Sequence, residues 1–198
     1  MNSWLGIEDD KTVLVMLSGG LDSAVAAEKI LRETGARLVL AHVKGPHHWA
    51  VEHYNAAHKI LTHLERINRG HLKFMQFENN WPINPSISFL YHFVASQIMR
   101  NESHNVDMWV HTAQYIENQH RDRRPYSRKI YEAGSWKDWR KTELPKPILY
   151  PFEGVDKNTI WNMASEFVKE NSVSCCVLVN DEPCGECPKC LEIYDASR

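Results

Sequence analysis

No stretch of this chain approaches the ~18 consecutive apolar residues that a membrane-spanning helix requires. The first residues, Met1 to Asp10, lack the basic-then-apolar order of a secretory leader, so none is expected. Positive charge is not in surplus either: 23 Lys and Arg stand against 25 Asp and Glu, for a net charge of −2. That balance argues against broad nucleic-acid binding and excludes a disordered polyelectrolyte. Cysteine is absent until position 175, and all 5 cysteines lie between Cys175 and Cys190. An odd number crowded into one segment fits metal binding in a reducing compartment better than a disulfide framework. A cytoplasmic protein is therefore expected. What is present is ample apolar material: 43% of the 198 residues, with 7 Trp, 7 Tyr and 6 Phe. This suffices for one domain with an appendage.

The periodicities alternate between strand and helix. Residues 12–17 form a short continuous apolar run, as expected of a strand buried on both faces. From 23 to 33, apolar residues recur at Val25, Ala26, Ile30 and Leu31, a helical spacing closed by Gly35. Residues 37–43 read as a second strand, 49–68 as a long amphipathic helix ended by Gly70, and 72–77 as a third strand. Residues 79–86 are loop by their Asn and Pro content. Residues 87–100 read as helix, 106–110 as a fourth strand and 148–152 as a last short one. Residues 113–144 are polar and weakly periodic, a loop with a short helix. Asp156 or Asn158 caps a helix reaching to about Lys169. This alternation predicts an α/β fold with an open parallel sheet. Such sheets bind ligands beyond their carboxyl ends, where strand order reverses. The loop after the first strand is placed for that role.

That loop reads Ser18-Gly19-Gly20-Leu21-Asp22-Ser23, directly after Leu17. Adjacent glycines permit positive φ and close approach of the backbone to a ligand. The following helix turns its unpaired N–H groups and positive dipole end toward the loop. With the hydroxyls of Ser18 and Ser23, these make a cradle for phosphate or pyrophosphate. Asp22 fits beside an anion as a helix cap or as a Mg2+ ligand. The loop is not a Walker A motif, since no Gly-Lys-Ser/Thr follows, nor is it Gly-x-Gly-x-x-Gly. An ordinary tight turn would account for the glycines but not for Asp22 and Ser23. The string resembles the pyrophosphate loop of the N-type ATP pyrophosphatases, the PP-loop superfamily. Those enzymes split ATP between the α and β phosphates and adenylate a substrate. The resemblance implies that Leu17, Ser18, Gly19, Gly20, Leu21, Asp22 and Ser23 hold ATP, with Ser18, Asp22 and Ser23 nearest the chemistry. It also places adenine against backbone groups of His42 and Val43, whose alternative role is core filling.

Near the other end, Cys175, Cys184, Cys187 and Cys190 are spaced Cys-x8-Cys-x2-Cys-x2-Cys, with Gly185 and Pro188 suited to tight turns. Four thiolates at about 2.3 Å describe a closed structural zinc site, stapling a tail too small to fold alone. A redox pair and an iron–sulfur cluster are the alternatives. Cys176 adjoins Cys175, so spacing alone leaves the fourth ligand open between them. Residues 171–198 hold five acids and two bases, unlike a ribbon that grips nucleic acid.

Together the two end motifs resemble the 7-cyano-7-deazaguanine synthases (QueC) of the PP-loop superfamily. Members pair a Ser-Gly-Gly-x-Asp-Ser loop with a Ser-Cys segment and a Cys-Gly-x-Cys-x-x-Cys run, here Ser174-Cys175 and Cys184 to Cys190. Pro147-Ile148-Leu149, ahead of Asp156-Lys157 and Trp161, is similar to the family's segment before its cysteines. The resemblance implies a Rossmann-like open parallel sheet with helices on both faces (adenine nucleotide alpha hydrolase-like). It implies a nucleotide domain over residues 1–170 and a zinc-binding tail over 171–198, with Cys175 as the fourth ligand. It also implies ATP, Mg2+ and Zn2+ as cofactors. The implied reaction is ATP-dependent adenylation of 7-carboxy-7-deazaguanine, then ammonia attack to an amide and dehydration to the nitrile.

The middle of the chain departs from that pattern. Where members carry Tyr-Gly-Gln-Arg-His, this chain has Lys44-Gly45-Pro46-His47-His48. Where they carry Pro-Gly-Arg-Asn, it has Asn84-Pro85-Ser86-Ile87. The fourth strand ends in His111-Thr112-Ala113. Candidate substrate residues are His48 and the basic run Arg121, Arg123 and Arg124, continued by Arg128 and Lys129. Guanidinium forks suit phosphates and carboxylates. A solvated loop is the alternative for the run, as chance clustering is for His47, His48 and His53. Trp81, Trp109, Trp136, Trp139 and Trp161 are expected in core or rim packing, or stacked on a deazapurine.

One rival enzyme reading replaces ammonia with an amine of a protein or other macromolecule. Another is a different PP-loop activity, such as thiolation. A non-enzymatic reading is a zinc-containing nucleotide or nucleic-acid binding module. The expected partners are ATP and a small carboxylate, with a protein acceptor under the rival reading and a second copy of the chain as a homodimer. Neither membrane nor nucleic acid is expected as a partner.

Overall fold

β1 (Thr12–Met16) is buried along its whole length because helices cover both of its faces. Val13 and Val15, with Leu17 beyond them, pack on one side among residues of α1 (Leu21–Glu33) and α2 (Ala50–Asn68). Leu14 and Met16 pack on the other with Leu90, Val94, Ala95 and Ile98 of α3 (Ile87–Arg100). A period of two along a strand sends alternate side chains to opposite faces. An unbroken apolar run is what two apolar layers demand. The structure, a computed structural model, describes residues 4–45, 50–78, 87–112, 146–173, 178–179, 182–187 and 190–191.

Four more strands complete the sheet: β2 (Arg37–Lys44), β3 (Leu72–Glu78), β4 (Met108–Val110) and β5 (Ile148–Leu149). All pairings are parallel, in the order β3-β2-β1-β4-β5. The chain builds outward from β1 through β2 to β3, then crosses back to add β4 and β5 on the other side. Strand order therefore reverses between β1 and β4, and the ligand crevice of such a sheet opens at their carboxyl ends. This is the Rossmann-like α/β architecture. Among the described residues, no helix is long and apolar enough to cross a membrane.

Several boundaries differ from the sequence reading. The fourth strand is shorter at its start: beside Thr12, Asp107 donates its N–H to Thr12 O at 2.8 Å, while its carboxylate, in place of its carbonyl, accepts the Thr12 N–H at 2.8 Å. The last strand stops at Leu149 and gives way to a turn. The single helix expected to reach Lys169 is two: α4 (Lys157–Met163) and α5 (Glu166–Asn171). Asp156 caps α4 by accepting the Thr159 N–H at 2.8 Å. Ala164 is extended, and Ser165 caps α5 by accepting the Val168 N–H at 3.3 Å. In the tail, β6 (Leu178–Val179) and β7 (Glu182–Pro183) form a small antiparallel pair. The loop and short helix expected over 113–144 lie outside the described residues.

A buried carboxylate ties α1 to α2. Glu28 accepts hydrogen bonds from Arg32, at 2.9 and 3.0 Å, and lies 3.0 Å from Nε2 of His63. The His63 ring stacks on Phe167 of α5 with centroids 4.3 Å apart. Burial pushes the Glu28 carboxyl up, but hydrogen bonds with His63, Ser165 and Arg32 and the Arg32 charge outweigh it, leaving it below its ordinary value. A carboxyl so lowered stabilises the fold above the unfolded-state value and loses that contribution as pH falls through the folded-state value. Wild type is therefore expected to melt above Glu28→Gln at neutral pH. The gap should close as the solution is acidified below the glutamate range. Melting curves at stepped pH check this, and a gap independent of pH would contradict it.

Candidate active site

The loop is assembled from its own side chains. After β1 ends at Met16, the Leu17 N–H donates to Ala41 O at 2.8 Å, holding the chain beside β2 for one further residue. The Ser18 N–H donates to Ser23 Oγ at 3.1 Å, and the Gly20 N–H donates to Ser18 Oγ at 3.2 Å. Ser23 Oγ donates to Gly20 O at 3.1 Å, and the two hydroxyls lie 3.0 Å apart. Since the single Ser23 proton goes to Gly20 O, the proton between the hydroxyls belongs to Ser18. Both hydroxyls thus brace the turn. The sequence reading offered them as donors to the anion, whereas the structure engages them within the loop. The first-turn amides of α1, whose N-cap, Gly20, supplies no side-chain cap, are further N–H donors beside the loop.

Gly19 has φ +83°, and a Cβ there would lie 2.3 Å from the backbone oxygen of His53 in α2. Its carbonyl accepts the Val173 N–H at 2.8 Å, so the segment after α5 lies against the loop. Two imidazoles flank the strand end. His42 Nδ1 lies 2.8 Å from Leu17 O and His53 Nδ1 lies 3.1 Å from Ser18 O, so each ring donates a proton to a loop carbonyl. His42 is buried, and that burial, helped by the neighbouring His58 and His53 rings, outweighs the Leu17 hydrogen bond and pushes its pKa down. Its Nε2 therefore carries a lone pair, and that atom is buried with no partner among the described residues. Val43 turns its side chain into the α3-side core, so packing is what that side chain does.

Asp22 sits in the first turn of α1 and is not its cap. Its carboxylate pairs with Lys157 Nζ of α4 at 2.7 Å. Lys157 enters the sequence analysis only within the Asp156-Lys157 segment of the resemblance, with no role at the loop. The pair sets one negative and one positive group beside the glycine loop, from elements far apart in the chain.

In the tail, the sulfur atoms of Cys184, Cys187 and Cys190 lie within 4.8 Å of one another. Cys184 and Cys190 are 3.9 Å apart, and the Cys187 N–H donates to Cys184 Sγ at 3.3 Å. Gly185, at φ +73°, makes the turn between the first two. Thiolates held about 2.3 Å from one tetrahedral ion have edges near this spacing, so the donor set fits zinc. Cys175 and Cys176 lie outside the described residues, as do His47, His48, Arg121, Arg123, Arg124, Arg128 and Lys129. Trp81, Trp136 and Trp139 also lie outside them. Trp109 is buried in the core, and Trp161 packs beside Lys169, whose ammonium lies 5.7 Å from its ring centre.

Residues 9–84 match the family model described as thiamine biosynthesis protein (ThiI), a PP-loop ATP pyrophosphatase-like family. The match spans β1 to β3 and includes the glycine loop, and it supports the PP-loop superfamily. No curated protein matches the chain.

Proposed function

We propose that this chain is an ATP-dependent ligase that adenylates a carboxylate and passes the acyl group to an amine. The observation that carries this reading is the glycine loop at the strand-order reversal, with an uncapped helix N-terminus behind it and the Asp22–Lys157 pair beside it. The match to a PP-loop family over residues 9–84 supports ATP use. On this reading the first-turn amides of α1 receive the β and γ phosphates. Lys157 neutralises developing phosphate charge, and its release from Asp22 leaves that carboxylate to meet Mg2+. The ion, when bound, screens the polyphosphate and polarises the bond to be broken. Most of the catalysis is then positioning and fixed electrostatics. On this reading the buried Nε2 of His42, without a partner among the described residues, accepts from an exocyclic amine such as that of adenine.

The carboxylate is taken to be 7-carboxy-7-deazaguanine and the amine ammonia, giving the amide and then the nitrile. Residues 1–170 form the nucleotide unit, and residues 171–198 form a zinc-stapled tail with Cys175 as the fourth ligand. The test incubates the protein with 7-carboxy-7-deazaguanine, ATP, Mg2+ and ammonium, then measures pyrophosphate and product mass. Release of pyrophosphate that depends on the acid, with amide or nitrile formed, supports the reading. ATP binding without acid-dependent pyrophosphate sinks it in favour of a binding module.

Asp22→Ala is expected to cut pyrophosphate release by about 100-fold or more, the scale on which one preorganised electrostatic contact acts. The fold should persist, because the ion pair is partly exposed and such pairs contribute about 1 kcal/mol or less. Turnover near wild type would remove Asp22 from the site.

A further inference from the structure

The amino ends of the parallel strands form a second concave site, at the opposite end of β1 from the glycine loop. β1 runs 5 residues at ~3.3 Å each, which sets the two about 16 Å apart. A cavity of about 260 Å³ opens there, and its lining includes Asp10, Lys11, Arg37, Asn105, Asp107 and Lys146. Three of these charges are spread across the strand starts. Arg37 begins β2 and lies opposite Thr12 of β1. Asp107 lies on the other side of Thr12, exchanging two hydrogen bonds with it, one through its own Oδ2. Lys146 comes two residues before β5, beyond Asp107 in the sheet order. The row therefore reads cation, acid, cation.

These charges do not satisfy one another. The side-chain nitrogens of Arg37 and Lys146 have no hydrogen-bond or ion-pair partner among the described residues, and Lys146 is half-buried. Asp107 commits Oδ2 to the Thr12 N–H, which leaves Oδ1 for a second donor. Lys11, the third cation, is engaged by Glu8 at 3.4 Å. A phosphate or a lone carboxylate would gain Arg37 and Lys146 but meet repulsion from Asp107 and Asp10. A lone amine would meet the reverse. A molecule that carries both groups answers both sets. A guanidinium fork takes a carboxylate through two parallel bonds, and an ammonium donates to carboxylate oxygens. The volume lies below the ~300–1,000 Å³ of sites for drug-sized ligands, so the solute is small.

We propose that this cavity binds a free α-amino acid. Its carboxylate lies between Arg37 and Lys146, and its ammonium donates to Asp107 Oδ1 with Asp10 adding negative charge. The site shares no residue with the glycine loop, and it stands or falls apart from the ligase reading.

The test titrates each standard L-amino acid into the full chain by NMR at fixed ionic strength. Acetate, inorganic phosphate and ethylammonium serve as probes of one charge sign. At least one amino acid is expected to bind at about 1 mM or tighter, with each single-sign probe weaker by about 10-fold or more. Arg37→Gln and Lys146→Met should each weaken that amino acid by about 10-fold, the scale of one hydrogen bond between charged groups. Asp107→Asn retains an acceptor for the Thr12 N–H but no charge, so it should weaken the amino acid similarly while acetate binds no worse. Failure of every amino acid to bind at about 10 mM overturns the proposal. So does acetate or phosphate held as tightly as the best amino acid, which marks a plain anion site. Unchanged amino-acid affinity in the three variants overturns it as well.

Discussion

Gly19→Ala is expected to lower the melting temperature by roughly 5–15 °C and to abolish nucleotide binding. Two costs add at this residue. A φ of +83° is unfavourable for any side chain by about 1–2 kcal/mol. The new methyl would also meet the His53 backbone oxygen at 2.3 Å, an atom held within a helix. Overpacking of that kind costs roughly 1–3 kcal/mol and displaces whichever element is weaker. Here that is the loop, whose position defines the anion cradle. Gly154→Ala separates the two costs, since φ there is +69° and nothing lies within 4 Å of the added methyl. It should lose about 1 kcal/mol and keep nucleotide affinity. Thermal melts and titration with a fluorescent ATP analogue make the comparison. Equal behaviour of the two variants would show that close packing against α2 does not shape the loop.

Loss of a cysteine from the tail is the other large effect. Cys187→Ser is expected to reduce bound metal from about one ion per chain to near zero, because a closed tetrahedral site cannot spare one of its thiolates. Structural zinc contributes about 10–16 kcal/mol of apparent binding energy in small zinc-folded peptides, so little would replace it in a segment this short. Limited proteolysis should then cut within residues 171–198 well before the α/β unit. Nucleotide affinity should fall as well, since the Val173 N–H is bonded to Gly19 O. Metal analysis by mass spectrometry checks the first outcome. Full metal content in Cys187→Ser would remove the site. Loss of metal in Cys176→Ser, with retention in Cys175→Ser, would move the fourth ligand by one residue.

The strands were legible where both faces are buried. Residues 13–17 and 38–41 are apolar without interruption because each face meets a packed layer, the pattern that helices on both sides of a parallel sheet produce. The glycine loop was legible as a motif, but the work of its hydroxyls was not. Whether Ser18 and Ser23 face an anion or each other depends on a 3.0 Å geometry that no spacing encodes. The break between α4 and α5 had a local signal, Ser165 followed by Glu166, which is a helix-start pattern that the longer apolar periodicity obscured. Lys157 and His111 were quoted from the sequence, but nothing local marked the pairing of Lys157 with Asp22 or of His111 with His92. Their partners lie on other elements, and a single chain read in order shows a residue's type but not what crosses the sheet to meet it.

The Asp22–Lys157 contact joins positions 135 residues apart. At roughly 5–20 residues per second, a ribosome takes on the order of 7–27 s to deliver the second after the first. During that interval the nascent chain displays a glycine turn whose acid has no counter-charge. The ion pair therefore forms late in synthesis, after the strands that flank the turn on both sides have emerged. Circular permutants that bring residue 157 out early would shorten that delay.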